Sequence, residues 1–253
     1  MLKLGDSSRL AFSTGDINLS SAFYESVGFR VMNDNEGSRT FTDGLLTICV
    51  SPGENNSRSM EYCSGDPDRV AELLRDLSLE CEISEKENAL QTIQFTGIKD
   101  ININVLNSSF TSFPKSENTE RVIDFWKRFE ADPATELPLD IENPKLGFFT
   151  EFSQSIEDPF GAIKFWQKLG FEVITQQTEP YNWGTVTDGV NIFGFHESGS
   201  QGNPPAITYL ARGMREKIEK LRSDGVNVKS DSEGSNFITS PEGMNFMLFD
   251  IDY

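Results

Sequence analysis

Histidine is almost missing from this chain: His196 is the only one among 253 residues. That scarcity excludes any metal centre built on two imidazoles, whatever the register of the strands. Cysteine is scarce as well. Cys49, Cys63 and Cys81 are odd in number, form no CxxC and sit in apolar, strand-like contexts. They read as buried thiols rather than a disulfide framework or a metal site. Positive charge is short too, with 22 Lys and Arg against 40 Asp and Glu and a net charge of −18. Such a surface repels phosphate backbones and anionic membranes, so neither nucleic acid nor membrane is an expected partner. No apolar run reaches membrane-spanning length, and the opening MLKLGDSSRL lacks the apolar segment of a signal peptide. A cytoplasmic location is the resulting expectation.

What the chain does have is aromatic bulk and a repeat. Its 20 Phe and 37% hydrophobic residues are enough for a sizeable core. The stretch DINLSSAFYESVGF begins at Asp16, and DPFGAIKFWQKLGF begins at Asp158 in the same register. Both carry helix punctuation. Asp16 and Asp158 suit the N-cap, Pro159 suits the first helical turn, and Gly28 and Gly170 suit the left-handed stop. Ala162, Phe165, Trp166 and Leu169 fall on one helical stripe, and Leu19, Ala22, Phe23 and Val27 nearly repeat it. A short strand precedes each helix (RLAFST, GFFTEFS), and strands ending in TDGLLTICV and TDGVNIFGF follow.

Two further units keep this order without the aromatic signature. SMEYCSGDPDRVAELLRDL supplies a strand and a helix with Val70, Leu73, Leu74 and Leu77 on one face, and ININVL closes that unit. AITYLARGMREKIEKLRSDGV repeats the plan through Met214, Ile218 and Leu221, ending in TSPEGMNFMLFDI. The fold class is therefore α+β, with four βαβββ units in two tandem pairs at 5–107 and 145–253. The connection at 108–144 is Ser-, Pro- and acid-rich and holds one amphipathic helix, RVIDFWKRFEA. Its stripe of Val122, Phe125, Trp126 and Phe129 is expected to pack against a domain.

The Asp–FY–Gly-Phe pattern of FYESVGF and FWQKLGF, the strand after DG and the closing SPEGMNFMLF resemble the vicinal oxygen chelate superfamily. Its members include glyoxalases, bleomycin-resistance proteins and extradiol dioxygenases. The resemblance implies that paired units curl into cup-shaped mixed sheets with helices outside. It also implies a divalent metal held by His, Glu or Gln on the first and last strands of the units, extradiol dioxygenases using two His and one Glu. Counting from the helix caps and the DG turns places those positions on Arg9, Ile48, Ser59 and Asn104 in the first pair. In the second they fall on Glu151, Phe193, Ala206 and Met247, of which Glu151 alone is a ligand type. No metal and no other cofactor is expected, and parity puts His196 off the cup face.

The second cup is nevertheless the more ligand-like. Phe193, Phe195 and Met247 are expected to point inward, with Asn191 and Thr208 as polar handles beside Glu151. Trp183, with Tyr181, falls near the tip of a lengthened hairpin that could cover the mouth. Three functions stay open. The first is metal-independent binding or sequestration of a small molecule, as in the bleomycin-resistance branch. The second is an isomerase or lyase with Glu151 as acid or base. The third is a structural or regulatory protein with closed cups. The partner expected is a small molecule of unnamed identity, and the chain is expected to be a monomer or a homodimer.

Overall fold

Two eight-stranded mixed sheets follow one another along the chain with the same strand order. The computed structural model describes residues 3–251, apart from 36, 54–56, 87–88, 98–101, 116–117, 133, 200–204 and 233. The first sheet is made of β1 (Ser7–Thr14), β2 (Arg30–Asn35), β3 (Ser38–Thr42), β4 (Thr47–Pro52), β5 (Arg58–Ser64), β6 (Cys81–Lys86), β7 (Ala89–Thr96) and β8 (Asn102–Asn107). They lie in the order β2-β3-β4-β1-β5-β8-β7-β6, so the outer strands do not meet and the cup stays open. The second sheet contains β9 (Phe148–Ile156), β10 (Glu172–Gln177), β11 (Trp183–Thr187), β12 (Ile192–Glu197), β13 (Ala206–Ala211), β14 (Lys229–Ser230), β15 (Asn236–Thr239) and β16 (Asn245–Asp250). Its order, β10-β11-β12-β9-β13-β16-β15-β14, repeats the first strand for strand.

The helices are α1 (Ile17–Ser26), α2 (Pro67–Asp76), α3 (Thr119–Ala131), α4 (Pro159–Lys168) and α5 (Met214–Ser223). Asp16 accepts the N–H groups of Asn18 and Leu19 to open α1, and Asp158 accepts that of Gly161 to open α4. Each cap satisfies donors that the first helical turn leaves unpaired. Gly28 and Gly170 take φ values of 94° and 92° after these helices, where a Cβ would be strained. Along α4 the buried residues include Ala162 and Trp166, as the periodicity implies. On α1 the stripe is rotated. Leu19 is 58% exposed, and the buried residues are Ser20, Ser21 and Tyr24. The cause is a buried carboxylate from the other repeat: Glu242 accepts hydrogen bonds from Ser20 Oγ and from Tyr24 Oη, the latter at 2.9 Å. Paired polar groups can occupy an interior face that apolar counting reserves for leucine.

A reciprocal arrangement joins the repeats. Tyr209 on β13 donates to Asp43 Oδ2 in the turn before β4, at 2.6 Å. Its counterpart Tyr62 on β5 lies beside Asp188, the matching turn residue before β12. That second contact is looser: among the described residues neither Tyr62 Oη nor Asp188 Oδ2 reaches ordinary hydrogen-bond geometry, although the two groups still interact. Burial pushes the Asp43 carboxyl up from its ordinary value, against the opposing pull of Tyr209 and the Leu46, Leu45 and Asn143 donors. Asp188 is raised by burial in the same way.

The linker helix α3 departs from the plan of helices outside. It packs on the second sheet, with the Phe125 and Phe148 rings 5.0 Å apart and Lys127 paired to Glu172 at 2.8 Å. Trp126 and Phe129 consequently lie over the concave side of that sheet.

Candidate functional site

Three strands align one row of side chains across the second cup. β9 and β13 are antiparallel with Glu151 opposite Thr208, and β13 and β16 are parallel with Thr208 opposite Met247. Directly paired residues share a face, so Glu151, Thr208 and Met247 stand side by side. The β9–β13 register slips by one residue between Thr208 and Tyr209, leaving Thr150 as the extra residue of a bulge. Bulges re-aim side chains, and here both Thr150 and Glu151 reach the same cavity.

Glu151 is only 5% exposed and is held by a directed set of bonds. Ser153 Oγ donates to Oε1 at 2.7 Å, and His196 Nε2 meets the same oxygen at 2.6 Å. Ser153 has one proton and gives it to Glu151, so the 2.6 Å contact between Ser153 Oγ and Thr208 Oγ1 must be donated by Thr208. A carboxylate can only accept. Nε2 therefore carries a proton, and in the neutral imidazole Nδ1 carries the lone pair. Nδ1 is buried and has no hydrogen-bond partner among the described residues. Leaving it so costs about 1–3 kcal/mol.

Room for the carboxylate comes from Gly194. A Cβ there would lie 2.0 Å from Glu151 Oε2, so only glycine lets Glu151 lie across β12. Gly194, Ile192 and His196 share one face of β12, the cup face. His196 is buried at 4% exposure and stacks on Trp183, its pairing partner on β11, with the rings 4° from parallel and 5.8 Å apart. The expected position of His196 off the cup face is thus corrected. So is that of Phe193 and Phe195, which lie on the opposite face with Trp166 of α4 at 4.7 and 6.4 Å. The parity error has a simple source. β12 is apolar on both faces around a glycine, so alternation gives no phase, and counting from Gly189 slips by one residue.

The other expected residues divide as follows. Trp183, Tyr181 and Thr208 line the same cavity as Glu151. Met247 continues the row, but it is Phe249 that reaches the cavity from β16. Asn191 lies elsewhere: its Oδ1 accepts from Ser8 Oγ at 2.8 Å, beside a void of about 20 Å³. The positions Ser59 and Ala206 are displaced too, since the cup rows run through Glu61 and Thr208, two residues further on.

The cavity measures about 280 Å³. An apolar cavity of about 150 Å³ already holds benzene, so a substituted ring fits here. The linker contributes Trp126, Phe129 and Glu130 to its wall, which sequence reasoning missed because it treated that stripe only as packing. Trp126 Nε1 is buried without an acceptor among the described residues. His196 and Trp126, which both line the cavity, thus each keep one buried polar atom without a partner among the described residues.

No family model matches the chain, and neither does any curated protein. Solved structures do. Homoprotocatechuate 2,3-dioxygenase from Brevibacterium fuscum superposes with a TM-score of 0.61 at 12% identity, covering 98% of this chain and 71% of that one. A catechol 2,3-dioxygenase gives 0.57 at 11% identity, with 98% and 89% covered. The 2,2',3-trihydroxybiphenyl 1,2-dioxygenase of Sphingomonas wittichii strain RW1 gives 0.54 at 16% identity, with 98% and 91% covered. The chain shares the tandem two-sheet fold of these dioxygenase structures over nearly its whole length. These neighbours overturn the expectation of a metal-independent sequestering module and the alternatives weighed beside it, because the whole two-cup architecture is shared with oxygen-using enzymes.

That fold raises the question of a metal in the cup. Among the described residues no three His, Cys, Asp or Glu side chains gather. Glu151 and His196 supply one carboxylate and one imidazole, already bonded to each other, and the row continues with a hydroxyl and a thioether. Such a set does not fit the three-donor centre of a first-row dication.

Proposed function

We propose that the second cup is the active site of an enzyme that acts on a small hydroxylated aromatic compound, with dioxygen as its second substrate. The observation that carries this reading is the Glu151–His196 pair, both of whose residues line an aromatic cavity. The neighbours' names all denote dioxygenases of phenolic compounds, which supports the substrate class.

His196 is the base and Glu151 its orienting group. A ring hydroxyl entering the cavity gives its proton to Nδ1, and the electron pair of the O–H bond stays on oxygen as a phenolate. The imidazolium that forms already donates Nε2–H to Glu151, whose charge stabilises it across 2.6 Å. Thr208 and Ser153 fix the carboxylate from the other side, so no group must reorient as charge develops. The phenolate is more easily oxidised than the phenol and is the form that meets dioxygen. Trp126, Phe129 and Trp183 give the ring apolar faces to pack against.

Oxygen uptake and ring absorbance, measured with catechol and substituted catechols and with or without added Fe(II) or Mn(II), test the proposal. Uptake that falls by about 10²–10⁴-fold in His196→Ala supports it. A phenolate band without uptake removes dioxygen from the reading. No band and no uptake with any catechol overturns it.

A further inference from the structure

The charge on the cavity wall is one-sided. Glu130 and Glu151 line it, and among the described residues no Lys or Arg does. Glu130 belongs to α3, is solvent-exposed, and has one oxygen fixed by Gln177 Nε2 at 2.9 Å, leaving the other free of that bond. Aromatic side chains share the lining with them, Trp126 and Phe129 from the helix and Tyr181 and Trp183 from the hairpin. Aromatic faces attract cations by their quadrupole, more strongly where water is excluded. The whole surface adds to this, because a net charge of −18 concentrates cations and repels anions around every opening.

We infer that the compound taken by this cavity carries an amine, and that carboxylated rings are rejected. The inference rests on the reading of the second cup as a site for hydroxylated rings and adds the charge of the substituent. The ring hydroxyl faces His196, deep among the strands. The ammonium group reaches back toward the linker helix, where Glu130 and the Trp126 and Phe129 faces meet it. The linker helix is thereby the part of the chain that selects the substituent, while the sheet holds the proton-transfer group.

Calorimetric titration with four probes decides the matter: 4-methylcatechol, 4-(2-aminoethyl)catechol, 4-(carboxymethyl)catechol and 2-phenylethylamine, which has no hydroxyl. The expected order places the aminoethyl compound about tenfold tighter than the methyl one, and the carboxymethyl compound weakest. Glu130→Gln is expected to shrink the aminoethyl-to-methyl ratio about threefold, which screening by salt alone would not reproduce. A carboxymethyl compound that binds as tightly as the aminoethyl one overturns the inference while leaving the phenol-site reading intact. Binding of 2-phenylethylamine with no advantage from ring hydroxyls does the reverse. Failure of all four probes overturns both.

Discussion

The two cups share a strand order and differ in one row of side chains. In the first, β1, β5 and β8 align Arg9, Glu61 and Asn104; in the second, the equivalent strands align Glu151, Thr208 and Met247. Arg9 Nε lies 2.7 Å from Glu61 and its guanidinium is 4.5 Å from the Phe113 ring centroid, so charge is neutralised and covered inside the first cup. Among the described residues no Lys or Arg pairs with Glu151. It holds an imidazole instead, in a cavity that admits a ring. One backbone plan therefore carries an arginine–glutamate ion pair in one cup and a glutamate–histidine pair beside a cavity in the other.

The largest expected effect comes from pushing Glu151 aside without changing it. Gly194→Ala places a methyl against the carboxylate, so turnover is expected to fall by about 10²–10³-fold, close to the loss in Glu151→Gln. The residue in the matching register position of the first cup is Cys49, paired with Ala11 as Gly194 is with Ser153. Cys49→Ala is expected to leave turnover unchanged, and equal losses in both variants would erase the functional difference between the cups.

Breaking the first cup should act on stability alone. Arg9→Met leaves Glu61 mostly buried without its cation, and a loss of about 2 kcal/mol is expected in urea unfolding. A parallel loss of turnover would mean that the cups are coupled. A smaller comparison lies between the tyrosines of the pseudo-symmetric interface. Tyr209→Phe removes a made bond to Asp43 and is expected to cost about 1–2 kcal/mol, while Tyr62→Phe removes an unmade one and is expected to be neutral. Equal costs would show that the Tyr62–Asp188 pair closes in solution.

The gentlest probe is pH. The folded-state carboxyls of Asp43 and Asp188 are raised by burial, so folding binds their protons more tightly than the unfolded chain does. Their contribution to stability is fully present below the unfolded carboxyl value, near pH 4, and is lost as pH rises through the folded values. Unfolding midpoints should fall over that window. Asp43→Asn should flatten part of the slope, and an unchanged slope would sink the assignment.

Much of the fold was legible because its signals are local. Asp16, Asp158, Gly28 and Gly170 act on the backbone within one turn, and their roles hold in the structure. The strand–helix–strands order was readable from Val70, Leu74, Met214 and Ile218 for the same reason. The site was less legible. Phe193 and Phe195 carry no phase information in a strand apolar on both faces, and Leu19 was misplaced because Glu242, 223 residues away along the chain, fills the interior beside α1 with a carboxylate.

The sequence by itself determined the duplicated units, their caps and turns, the acidic surface, and the limit that one histidine sets on ligand chemistry. Tertiary structure decided which partner that histidine meets, that Gly194 makes room for it, and that the linker's Trp126 and Glu130 belong to the cavity of the second cup. Caps and periodicity arise from contacts within a few residues, which a sequence records directly. The pairing of Glu151 with His196 depends on strand register and on a bulge, and a shift of one residue turns either side chain to the other face.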